Sequence, residues 1–356
     1  MNSWQIVSAI ALFVLLGGCG GRSVDLDHHV DLGGGGQPAS ESEPIDHTPR
    51  TILPESVYLF WVDDTRLYWI VFGEPTLRSC LKNDCATTTT SYGSVWGYGV
   101  AIGRNDVFWG PIDSPTSIVT CPKTGCVSAP RLLFQDPSYV AIRVIAADAD
   151  YFYWSSAFDI YRCPSAGCAA TPEVVAADET TDSDFGFQGD SVFWRETTVD
   201  EHGGTLSAVV RAAPKDGSRP PRTVLGPNEA PRLEPGFALD ATRIYWVDDT
   251  ERVMTCPLQG CGGVPPTVLV TGDLRKSSLQ VDGSGLFWLE ASPTDGFNSQ
   301  ALHYCAFADG ASQLSSTVLE GPIPAYTMDD RYLYWGKRSA DSGYPTSIRR
   351  SPKPGL

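Results

Sequence analysis

Histidine, methionine and basic residues are scarce in this chain. Its 356 residues include five His and three Met, and 26 Lys plus Arg stand against 42 Asp plus Glu, a formal net charge of −16. A protein that neutralises phosphates needs a basic surface to release counterions, so this balance argues against nucleic acid as a partner. His28, His29 and His47 fall in a stretch with few large apolar residues, which leaves only His202 and His303 for the body of the molecule. The chain has no Gly-x-Ser-x-Gly elbow, no metal-ligating His pair and no Gly-rich phosphate loop. Metal ligands and catalytic residues are therefore expected at none of these patterns. The longest apolar run, Ile6 to Leu16, is shorter than the roughly 20 residues a spanning helix needs.

That run has the layout of an export signal, and it ends Leu16-Gly17-Gly18-Cys19. The ending is similar to the lipobox of bacterial lipoproteins, in which the cysteine becomes the lipidated first residue, here Cys19. An ordinary secretory signal with an incidental Cys is the plainer alternative. From Gly20 to about Pro49 the chain carries the Gly33 to Gly36 run and scattered acids. It cannot bury enough surface to offset its conformational entropy. The expected organisation is a signal over 1–18, Cys19 with a flexible acidic tether over 19–49, and one folded domain over 50–356.

Within that domain, seven of the ten tryptophans close the same tripeptide of apolar residue, Phe or Tyr, and Trp. They are Trp69, Trp109, Trp154, Trp194, Trp246, Trp288 and Trp335, at intervals of 40 to 52 residues. Six residues before them stand Asp63, Gly103, Asp148, Gln188, Asp240, Asp282 and Asp329. Three large apolar residues in a row need cover on both faces of a strand, so antiparallel sheets must stack face against face. Radially packed four-stranded blades satisfy this at such a period. The expected fold is all-β, a seven-bladed β-propeller. The C-terminal unit lacks a fourth strand, and Arg50-Thr51-Ile52-Leu53 mirrors Arg222-Thr223-Val224-Leu225, a fourth strand elsewhere. The N-terminal strand is therefore expected to close the last blade, with Ile52 beside Ile348. Leu59-Phe60-Trp61 reads as the innermost strand of blade one.

Eight cysteines form four pairs at one spacing: Cys80/Cys85, Cys121/Cys126, Cys163/Cys168 and Cys256/Cys261. Each pair brackets a four-residue hairpin loop, where a bridge is geometrically reasonable, and an exported chain favours disulfides over zinc. Cys305 has no counterpart at that spacing and reads as a buried or lone thiol.

With its Tyr-Trp strand after an Asp turn, as in Asp240-Ala241-Thr242-Arg243-Ile244-Tyr245-Trp246, the body resembles the bacterial envelope β-propellers of the TolB-like and YWTD-like kind. The resemblance implies a binding platform in the cell envelope. Val247-Asp248 follows Trp246, so no family-specific partner is implied. The repeated Asp residues read as turn residues that bind local backbone N–H groups, with structural calcium the further option and no other cofactor.

The distance from Trp to the Cys position is longest in units four, six and seven. The insertions contain Glu196, Asp200, Glu201, His202, Asp295, Asn298, Arg338, Asp341 and Tyr344, which become the candidate ligand-binding set. The leading expectation is a monomeric, lipid-anchored protein that binds a protein or extracellular ligand on the inserted-loop face. The alternative is an envelope hydrolase or lyase using carboxylates at the channel mouth with His202 or His303 as acid or base.

Overall fold

The computed structural model describes residues 48–354 except 96–98, 137–141, 143, 157–158, 169–170, 178–184, 200–204, 230–235, 292–299, 308–315, 320, 322 and 339–343. The chain enters as β1 (Arg50–Leu53) and builds blade one from β2 (Val57–Val62), β3 (Arg66–Val71), β4 (Thr76–Leu81) and β5 (Thr90–Ser94). Blade two is β6 (Val100–Ile102), β7 (Asp106–Trp109), β8 (Ser117–Pro122) and β9 (Arg131–Gln135). Blade three is β10 (Val144–Ala147), β11 (Tyr151–Ser156), β12 (Asp159–Pro164) and β13 (Glu173–Ala176). Next comes blade four, with β14 (Phe185–Gln188), β15 (Ser191–Val199), β16 (Thr205–Pro214) and β17 (Arg222–Leu225). Blade five follows as β18 (Phe237–Leu239), β19 (Arg243–Val247), β20 (Val253–Pro257) and β21 (Thr267–Val270). Blade six is β22 (Arg275–Val281), β23 (Gly285–Ala291), β24 (Ala301–Ala306) and β25 (Ser316–Leu319). The last blade holds β26 (Tyr326–Met328), β27 (Tyr332–Arg338) and β28 (Pro345–Pro352), with β1 added outside β28. Seven four-stranded antiparallel sheets thus close a ring, the seven-bladed propeller expected from the repeat.

The tripeptide explains the stacking. In each second strand its first and third residues face the preceding blade and its middle residue faces the next. Leu67 and Trp69 pack with Tyr334 and Ile348 of blade seven, while Tyr68 packs with Val107 and Trp109 of blade two. Seven apolar clusters, one per seam, result from this alternation. Six of the repeat tryptophans are below 2% exposed and Trp335 is at 5%. Burying one indole contributes on the order of 5 kcal/mol before chain entropy is subtracted.

Closure differs from expectation by one residue. Thr51 lies opposite Arg349 and Leu53 opposite Ile348, so Ile52 is the extra residue of a β-bulge. The same skip recurs in the outermost strand of every blade, at Tyr92, Leu133, Val175, Val224, Leu269 and Val318. A bulge twists an edge strand and interrupts its ladder, which suits strands whose outer hydrogen-bonding groups must not recruit another chain. It also lets consecutive residues such as Val224 and Leu225 both pack inward, at 4% and 0% exposure.

Candidate functional site

Antiparallel blades place the first and third turns of every unit at one end of the ring and the remaining connections at the other. The first end is stapled. Cys80–Cys85, Cys121–Cys126, Cys163–Cys168 and Cys256–Cys261 are bridged across their hairpins with Cα separations of 4.8 to 5.2 Å. Cys305 is buried, as the sequence reading allowed, and is not the lone thiol that it offered as the other form.

At this stapled end each repeat Asp holds its own turn. Asp63 Oδ1 accepts the Thr65 and Arg66 N–H groups at 2.8 and 2.7 Å, and its Oδ2 accepts the Tyr68 hydroxyl at 2.9 Å. Asp148 and Asp329 repeat the pattern with Tyr153 and Tyr334. The turn role expected of these residues is thus observed. Unforeseen is a lysine from the following blade, closing on the same carboxylate. Lys123 reaches Asp63 at 2.7 Å and Lys215 reaches Asp148 at 2.9 Å, while Lys82 pairs with Asp329 and Lys353 with Asp282.

The lysines occupy one repeat position, the turn residue whose N–H bonds the carbonyl of the first-turn loop in its own blade. Ser165 and Leu258 occupy it where the preceding blade has Gly103 or Gln188, with no carboxylate to meet. In blade six it is Phe307, stacked on Tyr245 at 5.9 Å beside the unlatched Asp240. Burial alone raises the Asp63 carboxyl, but Lys123, the turn N–H groups and Tyr68 outweigh it and hold the group below its ordinary value. Asp148, Asp282 and Asp329 are lowered by the same balance. Among the described residues no group of three or more His, Cys, Asp or Glu gathers as a metal site.

The opposite, loop end is more open. Phe72, at the tip of the β3–β4 hairpin beside the positive-φ Gly73, is 44% exposed and Tyr344 is 38% exposed. Their rings stack at 4.0 Å, and Tyr58 lies 5.8 Å from Tyr344, making an aromatic patch over the seam of blades seven and one. Beneath it, Glu55 accepts the Trp69 indole N–H at 2.8 Å and an Arg78 N–H at 2.6 Å, which fixes Arg78 beside that hairpin. Tyr344 belongs to the candidate set; Tyr58, Phe72, Glu55 and Arg78 do not. An exposed Phe before a turn Gly was the available signal.

Of the other candidates, Glu196 is half-buried on β15 and Arg338 half-buried at the end of β27. Glu196 is in blade four and Arg338, like Tyr344, in blade seven, so the described members of the set stand on two separate blades. Asp200, Glu201, His202, Asp295, Asn298 and Asp341 lie outside the described residues. His303 is on the third strand of blade six and stacks on Trp288 at 5.7 Å. Burial pulls its pKa down, Glu290 opposes that shift and Lys276 adds to it. The Lys276 side chain is 0% exposed; its ammonium lies 3.6 Å from Glu290 and donates to the Leu274 carbonyl at 3.0 Å, fastening the connection into blade six.

No protein-family model matches the sequence, and no curated protein does. Solved structures do. "YCF48 bound to D1 peptide" aligns with a TM-score of 0.56 at 11% identity, over 88% of this chain and 98% of that one. YCF48 from Cyanidioschyzon merolae aligns at 0.54 and 8% identity, covering 86% and 98%. A catalytically inactive virginiamycin B lyase from Staphylococcus aureus with quinupristin aligns at 0.54 and 11% identity, covering 86% and 99%. At these identities the likeness is one of fold, and the fold shared with them is the seven-bladed β-propeller.

Proposed function

We propose that this chain is an exported envelope protein, anchored through lipid on Cys19, whose propeller binds a protein or peptide at its loop end. The observation that carries the reading is the exposed stack of Phe72 on Tyr344, with Tyr58 behind it. Aromatic side chains supply large, rigid contact area at low entropic cost and are enriched among interface anchors. At the stapled end, by contrast, four of the repeat carboxylates are paired with lysines of the following blade. A propeller of the same fold carries a bound peptide in the YCF48 complex, which supports the class of ligand and not its identity.

Orientation follows from where the chain enters the ring. Arg50 pairs with Arg350, next to the turn bearing Lys353, so the tether joins the stapled end. In this reading that end is nearer the anchor and the aromatic patch points away from it. A catalytic role would require carboxylates meeting a histidine at the channel. Of the two histidines that reading names, His303 stands on a third strand, facing Trp288, and His202 lies outside the described residues.

The test is photocrosslinking in cells, with p-benzoylphenylalanine placed at Tyr344 or at Val127, a fully exposed residue of the stapled end. Adducts from position 344 alone are expected; equal adducts at both, or none at 344, overturn the reading. For the anchor, Cys19→Ser is expected to shift the chain from the membrane to the soluble fraction. An unchanged distribution removes the lipid from the proposal.

A further inference from the structure

The lysine latches follow a rule that one seam breaks. Where a blade carries Asp at its first turn, the next blade brings a Lys to meet it: Asp63 with Lys123, Asp148 with Lys215, Asp282 with Lys353 and Asp329 with Lys82. Where the turn residue is Gly103 or Gln188, the next blade has Ser165 or Leu258 and brings no charge. Six seams therefore hold both the carboxylate and the ammonium or neither of them. At the seam of blades five and six Asp240 is present, and Phe307 stands at the lysine position.

Asp240 is built like the latched aspartates. Its Oδ1 accepts the Thr242 and Arg243 N–H groups at 2.7 and 2.8 Å, and its Oδ2 accepts the Tyr245 hydroxyl. Among the described residues no Lys or Arg pairs with it, and residues 308–315, which follow Phe307, include neither type. Asp240 is half-buried, and Ala241 and Thr242 beside it are exposed.

The latches also show what surrounds the ammonium. Lys82 lies over the Tyr334 ring at 5.6 Å and Lys353 over the Phe287 ring at 5.9 Å. Those rings are the middle residues of the repeat tripeptide, the position that Tyr245 holds in blade five. Tyr245 and the stacked Phe307, itself 44% exposed, thus add two rings to the Asp240 carboxylate. An alkylammonium is attracted by ring faces as well as by the carboxylate. A hollow of about 390 Å³ begins at Ala238 and Leu239, immediately before Asp240, and is lined by the innermost strands of blades five, six and seven. Leu239, Val281 and Met328 give it apolar surface suited to methylenes, and three aspartates against one lysine in its lining favour a cation.

We propose that Asp240, Tyr245 and Phe307 form a binding site for a primary alkylammonium group from outside the chain, the lysine side chain of a second protein or a free amine. That group takes the place that a lysine of the following blade takes at the four latched seams. The site lies at the stapled end and its test reads neither Tyr344 nor Val127, so it stands or falls apart from the loop-end reading.

The experiment is an NMR titration of the full-length protein, read at the Thr242 and Arg243 amides that bond Asp240. The ligands are Nα-acetyl-lysine-methylamide, n-butylamine and the uncharged Nα-acetyl-norleucine-methylamide. Both amines are expected to shift these amides saturably, with dissociation constants on the order of millimolar, and the norleucine compound to bind about tenfold or more weakly. A tighter lysine derivative assigns the site to a protein partner, and a tighter butylamine to a free amine. Asp240→Asn keeps an oxygen for the turn and removes the charge, while Phe307→Lys supplies the ammonium from the chain itself. Each is expected to weaken amine binding about tenfold or more, with thermal melts establishing that the variants are folded. The proposal is overturned if neither amine gives saturable shifts, if the norleucine compound binds as tightly, or if binding survives either substitution in a folded protein.

Discussion

The two ends of the ring are built from the same strands and use their polar residues in opposite ways. At the stapled end four disulfides close hairpins, and four lysines cross seams to the Oδ2 of carboxylates whose Oδ1 accepts the turn N–H groups. At the loop end the hairpins differ in length, β15 and β16 pairing out to Val199 and Thr205, and the aromatics Phe72 and Tyr344 remain exposed. One end carries the repeated interactions that hold neighbouring blades together. That division leaves the other end free to vary without loss of the ring, as expected where a rigid scaffold carries its recognition loops.

The largest way to break the contrast is to remove a buried latch. Lys353 is 2% exposed and pairs with Asp282, so Lys353→Met strands a carboxylate and is expected to cost about 3 kcal/mol by denaturant unfolding. Pairing it with Asp282→Asn should recover part of that loss. Acid tests the same latches together. Their carboxyl pKa values are lowered in the fold, so the stabilisation is complete above the unfolded value of about 3.9 and is lost as pH falls through the folded values. Melts between neutral pH and acid should show that decline.

Next in size are the staples. Each five-residue separation closes a short loop worth about 2 kcal/mol in the chain-entropy model. A Cys121→Ser/Cys126→Ser variant should lose about that much while its loop-end crosslinks persist. Loss of those crosslinks in a folded variant would dissolve the proposed independence of the two ends. The smallest effect is a gain. Phe307→Lys supplies the lysine that Asp240 lacks and is expected to stabilise by under about 1 kcal/mol, the range of exposed ion pairs. No gain would mean that the latch position alone does not create the pair.

Much of the ring was legible because indole burial repeats so regularly. Trp69 through Trp335 mark the seams, and the missing fourth strand of blade seven points to Arg50–Leu53. The bulge at Ile52 was not legible, since a one-residue skip preserves the apolar character of the strand while changing its partner. The latches were half legible. Lys82, Lys123, Lys215 and Lys353 stand two residues after a Cys position or its replacement, but the pairing becomes visible only when each is compared with the Asp of the preceding blade. Tyr344 was nominated from its insertion. Phe72 escaped because it does not alter the repeat length, and its exposure becomes visible only beside Tyr344 of the neighbouring blade.

The closing strand carries one more implication, for the order of assembly. Arg349 donates to the Pro49 carbonyl across 300 positions of chain, so the earliest strand must wait for the last one before it has a partner. Contacts so distant along the chain form late and slowly. A nascent molecule emerging N-terminus first would hold Arg50–Leu53 as an unpaired hydrogen-bonding edge until Pro345–Pro352 has been made, a segment for a chaperone to guard in the interval.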